Sequence, residues 1–207
     1  MKAYKFRGAD QIPFALDIML KQRLFCANWT DLNDPMEGAF QPQNILEANG
    51  GRKEQIEQII EEKMKLKVCS LAKDFRSHLL WAHYADGFSG VAIEVELPKA
   101  GGVIKNVEYR EAQSWAESLV EISTSEAANE ILSSKFKDWK YEKEVRVLQQ
   151  GSWYELSKPV RRIICGHRMN PALFETLQIL CKHKGIEILQ TTITERGIRS
   201  LAVIDQQ

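Results

Sequence analysis

Glu142, Glu144 and Arg146 alternate within Trp139-Lys140-Tyr141-Glu142-Lys143-Glu144-Val145-Arg146-Val147, and in an extended chain alternate residues project from one face. Two carboxylates and a guanidinium are then gathered within about 14 Å of backbone. On a solvated face they form only a surface ion pair contributing under about 1 kcal/mol. In a cleft, a carboxylate pair orients a sugar hydroxyl or stabilises an oxocarbenium-like transition state.

Other segments offer single groups. In Leu80-Trp81-Ala82-His83-Tyr84-Ala85-Asp86, His83 falls on a different helical face from Trp81 and Tyr84. It is either a hydrogen-bonded structural residue or, beside a cleft, a candidate catalytic group. Asn33-Asp34-Pro35-Met36-Glu37-Gly38 is either a turn in which Asn and Asp bond their own backbone, or a rigid loop presenting Asp34 or Glu37 to a ligand. Ser70, in Cys69-Ser70-Leu71, lacks the glycines of a nucleophile elbow, which disfavours a serine hydrolase. Glycine-rich phosphate loops are missing, and neither the four histidines nor the four scattered cysteines have metal-ligand spacing. The cysteines read as reduced core residues.

These groups need elements to hold them. Alternation predicts strands at 4–7, 23–27, 67–71, 91–97, 103–109, 143–148, 161–165, 186–191 and 198–204, with 103–109 as partner to 91–97 and one wet face on 91–97. Helical spacing predicts a helix capped by Asp10, one over 52–65 with Ile56, Ile59, Ile60 and Met64 as its apolar face, and one capped by Ser77. One or two more lie between 111 and 136, and a last one opens at Asn170-Pro171 and stops at Gly185. Strands and helices do not alternate as βαβ, so the expected class is α+β: a mixed, mainly antiparallel sheet with amphipathic helices around it. Residues 1–207 are expected to form one domain.

With 28 Lys and Arg against 28 Asp and Glu, the formal charge is zero. No global field draws the chain to nucleic acid. No apolar run reaches membrane-spanning length and Met1–Arg7 has no signal-type apolar stretch, so a cytoplasmic location is expected.

Tyr4-Lys5-Phe6-Arg7, Leu32-Asn33-Asp34-Pro35-Met36-Glu37-Gly38, Trp81-Ala82-His83-Tyr84-Ala85 with Gly90-Val91-Ala92-Ile93, and Trp139-x-Tyr141-Glu142-x-Glu144-x-Arg146 occur in that order. In this combination, over most of its length, the chain resembles the bacterial domain of unknown function family numbered 2971. It is more distantly similar to ADP-ribosyltransferase-like folds, which carry a basic or histidine residue on a first strand, a serine on a later strand followed by a helix, and a glutamate on a third. Arg7 or Lys5, Ser70 and Glu144 stand in that order.

This second similarity implies NAD as substrate and a transferase or glycohydrolase, possible roles being toxin or defence effector. Glu144 would stabilise the ribosyl cation left by nicotinamide, Arg7 would hold phosphate, and Glu142 would orient or deprotonate the acceptor. His83 or Tyr84 would support the pocket, and Arg146 would keep the carboxylates ionised. Taken with the readings of the separate segments, the expected ligand-facing set is Arg7, Lys5, Asn33, Asp34, Glu37, Ser70, Trp81, Tyr141 and Arg146. Two other classes stay open: a metal-dependent nuclease or hydrolase using Glu142, Glu144, His83 and Asp34, and a non-catalytic ligand- or protein-binding domain.

Overall fold

The computed structural model describes residues 1–34, 38, 53–98, 103–111, 119 and 121–202. Its centre is a nine-stranded sheet that draws strands from both ends of the chain. The strands are β1 (Lys2–Arg7), β2 (Arg23–Phe25), β3 (Ala27–Asn28), β4 (Lys67–Ala72), β5 (Val91–Glu96), β6 (Ile104–Asn106), β7 (Glu108–Arg110), β8 (Ser134–Phe136), β9 (Glu144–Gln149), β10 (Trp153–Glu155), β11 (Arg162–Cys165), β12 (Glu187–Thr194) and β13 (Gly197–Ala202). The main sheet runs β13-β12-β11-β5-β1-β4-β9-β6, with β3 also on β4, while β10–β2 and β7–β8 form two small ribbons. Pairing is antiparallel except for β11–β12 and β7–β8, so the fold is α+β with a mixed, mostly antiparallel sheet.

The helices are α1 (Ile12–Lys21), α2 (Lys53–Lys65), α3 (His78–Tyr84), α4 (Thr124–Leu132) and α5 (Pro171–Lys184). On one face of the sheet, Ala15, Ile18 and Met19 of α1 and Leu177 and Cys181 of α5 pack on Ala3, Cys69, Leu71, Val91, Ile93, Val145 and Ile163. On the other, Leu80 and Trp81 of α3 pack on Tyr4, Phe6, Ala72, Ala92 and Ile164. Burial of both faces explains why β5 has no wet side: Ala92 lies under α3, and Glu94 is buried with Tyr4 Oη, Lys2 and Arg162 as partners.

Local chemistry fixes the ends of some elements. Asn170 caps α5 through its side-chain oxygen, which accepts from the N–H groups of Ala172 and Leu173, and Gly185 ends it in the left-handed conformation (φ 64°). Asp10 and Ser77 make no such cap: Asp10 sits in a 3-10 turn before α1, and Ser77 precedes α3 without a side-chain bond. On α2, Met64 is exposed, and Lys63 takes the buried place, donating to the Gly38 carbonyl at 2.7 Å with its ammonium 3.8 Å from the centre of the Trp29 ring. The strand expected to pair with β5 is split into β6 and β7, and β6 pairs with β9. Between 111 and 136 the described helix is α4, and its last stretch turns into β8. Among the described residues no helix is long and apolar enough to cross a membrane.

One join in the sheet matters for the site. β1 meets β5 over six bridged pairs but meets β4 at one, Tyr4 opposite Ala72. Beyond that pair the two strands part, and the opening becomes the wall of a cavity. Close backbone packing holds the β1 side in place, since a Cβ at Gly90 would lie 2.1 Å from the Arg7 carbonyl oxygen. Gly90→Ala is therefore expected to lose about 1–3 kcal/mol by overpacking, seen as a lower midpoint in urea denaturation; an unchanged midpoint would mean that the strand yields freely.

Candidate functional site

The cavity, of about 690 Å³, is lined by residues 4–8 of β1 and the chain after it, by Ser70, Leu71 and Ala72 of β4, by the outer side of α3, by Asp31, Leu32 and Asn33, and by Lys135, Glu142 and Glu144. That volume lies within the range of small-molecule and cofactor sites. Lys5, Arg7, Asn33, Ser70, His83, Tyr84, Glu142 and Glu144, all picked out from sequence, meet here.

Glu142 and Glu144 are brought together differently from the sequence expectation. β9 begins at Glu144; Glu142 closes a 3-10 turn over Lys137–Glu142, and Lys143 between them is left-handed (φ 45°). Both carboxylates are nonetheless buried, at 5% and 3% exposure, and both reach the ammonium of Lys135. Lys135 Nζ donates to Glu142 Oε2 at 2.7 Å and lies 3.6 Å from Glu144 Oε2. Tyr84 Oη donates to Glu142 Oε1 at 2.6 Å. Arg146 grips Glu144 in a two-pronged pair, Nε to Oε1 at 2.7 Å and Nη2 to Oε2 at 3.0 Å, and its Nη1 donates to the Leu132 carbonyl at the end of α4.

The two carboxyls titrate in opposite directions. Burial pushes Glu144 up, but Arg146, Lys135 and the Ser70 hydroxyl outweigh it and hold the pKa below the ordinary glutamate value. Burial also pushes Glu142 up, and there Lys135 and Tyr84 do not outweigh it, so its pKa is raised. Paired acids whose environments separate their pKa values are the usual basis for dividing an ionised role from a proton-exchanging one.

The opposite wall is cationic. Lys5 Nζ reaches across to the Ser70 carbonyl at 2.7 Å, and Arg7 Nη1 to the Phe6 carbonyl at 3.4 Å. Neither cation has a carboxylate within ion-pair distance among the described residues, and Arg7 Nε is a buried nitrogen with no hydrogen-bond partner. Burial lowers the pKa of both. A buried, unpaired N–H donor beside a second cation is costly unless a ligand satisfies it.

Some expected ligand contacts are not on the lining. Trp81 is 0% exposed, held edge-on to Phe6 and stacked on Phe88 with its N–H donated to the Phe75 carbonyl, so its bulk serves the core under the cavity. Arg146, also 0% exposed, stands behind Glu144 and is paired with it. Tyr141 is half-buried beside the cavity, its ring 6.4 Å from that of His83. Asp34 is buried off the lining, and Glu37 lies outside the described residues. The set Glu142, Glu144, His83 and Asp34 thus does not converge, because the glutamates face Lys135, Arg146 and Tyr84. Among the described residues no group of three or more His, Cys, Asp and Glu has a metal-binding arrangement.

Lys135 is the group that sequence reasoning missed: it follows α4, where a lysine reads as a solvated helix residue. Asp10, Asp31 and Asp86 also line the cavity and were not singled out as site residues. No protein-family model, curated protein or solved structure matches the chain.

Proposed function

We propose that this chain is an NAD-using, ADP-ribosyltransferase-like enzyme or glycohydrolase. The observation that carries the reading is the meeting of Lys5 and Arg7 from β1, Ser70 from β4 and Glu144 from β9 on one cavity, with neither cation in an ion pair with a carboxylate among the described residues. Two positive groups match the two negative charges of a pyrophosphate, and a pyrophosphate oxygen gives Arg7 Nε the acceptor it lacks.

With the pyrophosphate on that wall, the reaction needs a carboxylate under the ribose. Departure of nicotinamide breaks the C1′–N bond, the electron pair leaving with the ring, and positive charge develops on the sugar. Glu144, kept ionised by Arg146, stabilises that charge. Glu142, with the higher pKa, takes the proton of the attacking acceptor or water. The resemblance to family 2971 and a cytoplasmic toxin or defence role belong to the same proposal. The metal-dependent hydrolase reading loses support because ammonium and guanidinium groups occupy the carboxylates it needs.

The test is titration calorimetry with NAD alongside an assay of released nicotinamide. Arg7→Ala, which breaks no ion pair among the described residues, is expected to weaken NAD binding by roughly ten- to a hundred-fold, the worth of one charged hydrogen-bonding group. A folded wild-type protein that neither binds NAD nor releases nicotinamide sinks the reading. Binding without release moves the binding-domain alternative ahead.

A further inference from the structure

We infer that Lys135, braced by Tyr109, is the positioning residue that holds Glu142 and Glu144 together as a working pair of carboxylates. The inference uses the transferase or glycohydrolase reading for its kinetic arm only.

The device is the small parallel ribbon β7–β8, in which Tyr109 stands in register with Lys135. It meets the start of β9 at three points. Tyr109 Oη accepts the backbone N–H of Glu144 at 2.7 Å, the Val107 N–H donates to the Glu144 carbonyl at 3.1 Å, and Lys135 Nζ sits between the two carboxylates. The Glu108 N–H donates to the Ser133 carbonyl at 2.8 Å, tying the ribbon to the end of α4. Lys135 itself is 6% exposed, lines the cavity and has its ammonium 4.5 Å from the centre of the Trp139 ring.

Two carboxylates in one buried space repel, and one takes a proton unless a cation stands between them. Arg146 already serves Glu144 on both oxygens, so it cannot do this for Glu142. Among the described residues, the other titratable groups near Glu142 are Tyr84, Tyr109, Tyr141 and Glu144, none of them cationic. Lys135 is therefore the cation that lets Glu142 and Glu144 be ionised together, and Tyr109 fixes the backbone from which Glu144 projects.

The experiment follows the carboxyl titrations by ¹³C NMR of glutamate-labelled protein, with Glu142→Gln to assign the resonance. In Lys135→Met the Glu142 titration is expected to move upward by about one pH unit or more, and nicotinamide release at neutral pH to fall roughly ten- to a hundred-fold. Lys135→Arg is expected to restore most of both, since it returns the charge. Tyr109→Phe is expected to leave the titration in place and lower kcat while KM holds. A folded Lys135→Met with an unmoved Glu142 titration overturns the inference, whether or not the protein turns over NAD.

Should that variant not fold, the ¹⁵Nζ resonance of Lys135 in the wild-type protein decides the matter. A shift that follows the Glu142 titration supports the contact, and one that stays flat through it overturns it. If the titrations behave as stated and NAD is not turned over, the functional reading fails and the positioning role stands.

Discussion

Arg146→Met is expected to destabilise the fold by about 3–5 kcal/mol, because it removes one partner of a buried ion pair and leaves the Glu144 carboxylate facing an apolar side chain. The magnitude follows from full burial of Arg146 and its two-pronged contact with Glu144, to which the lost bond to the Leu132 carbonyl adds. Urea unfolding at pH 7 measures it. The pH dependence supplies a second check. In the wild type the folded pKa of Glu144 lies below its unfolded value, so the pair's stabilisation is present above the unfolded pKa and is lost as pH falls through the folded one.

Glu142 has the opposite sign. Its folded pKa is raised, so it costs stability above the folded value and that cost disappears on acidification. In Arg146→Met, Glu144 joins Glu142 in this behaviour. The stability gap between variant and wild type is therefore expected to be widest at pH 7 and to narrow toward about pH 4, where an unperturbed glutamate protonates. A gap that does not change with pH would mean that packing, rather than charge, is what Arg146 contributes.

Glu144→Gln is expected to reduce nicotinamide release by about 10²–10³-fold, the usual loss when one preorganised electrostatic contact to a transition state is removed. The amide keeps the shape of the carboxylate but not its charge. Since the charge on the ribose develops only as the bond breaks, the NAD dissociation constant is expected to stay within about threefold. Arg7→Ala should do the reverse, weakening binding more than the chemical step. Because Arg146 loses its carboxylate partner in Glu144→Gln, turnover is to be read at a temperature where circular dichroism shows the variant folded. A Glu144→Gln protein that releases nicotinamide at the wild-type rate would remove Glu144 from the chemistry.

The helix at Pro171–Lys184 was legible because its signals are local: the Asn170 oxygen, the ring of Pro171 and the left-handed Gly185 act within a turn or two of chain. The α+β class was legible for the same reason, since the periods of β1, β4, β9, β11 and β12 sit in short windows. Where alternation failed, as on β5, the cause was a second layer packed on the face that reads as wet. The exposed Met64 and buried Lys63 of α2 likewise reflect what lies opposite, the Trp29 ring and the Gly38 carbonyl.

The same division runs through the site. The types and order of Lys5, Arg7, Ser70, His83, Tyr84, Glu142 and Glu144 were determined by the sequence itself, and so was the kind of chemistry to be expected of such groups. Which of them share a cavity was decided by tertiary structure: one bridged pair between β1 and β4 lets those strands part, and the β7–β8 ribbon carries Lys135 to carboxylates that local spacing would assign to Arg146 alone. Periodicity reports which side of an element a residue occupies, whereas an ion pair depends on what another element brings to that side. Lys135 and Tyr109 are 26 residues apart in the chain and meet in register only because β7 and β8 pair as a ribbon.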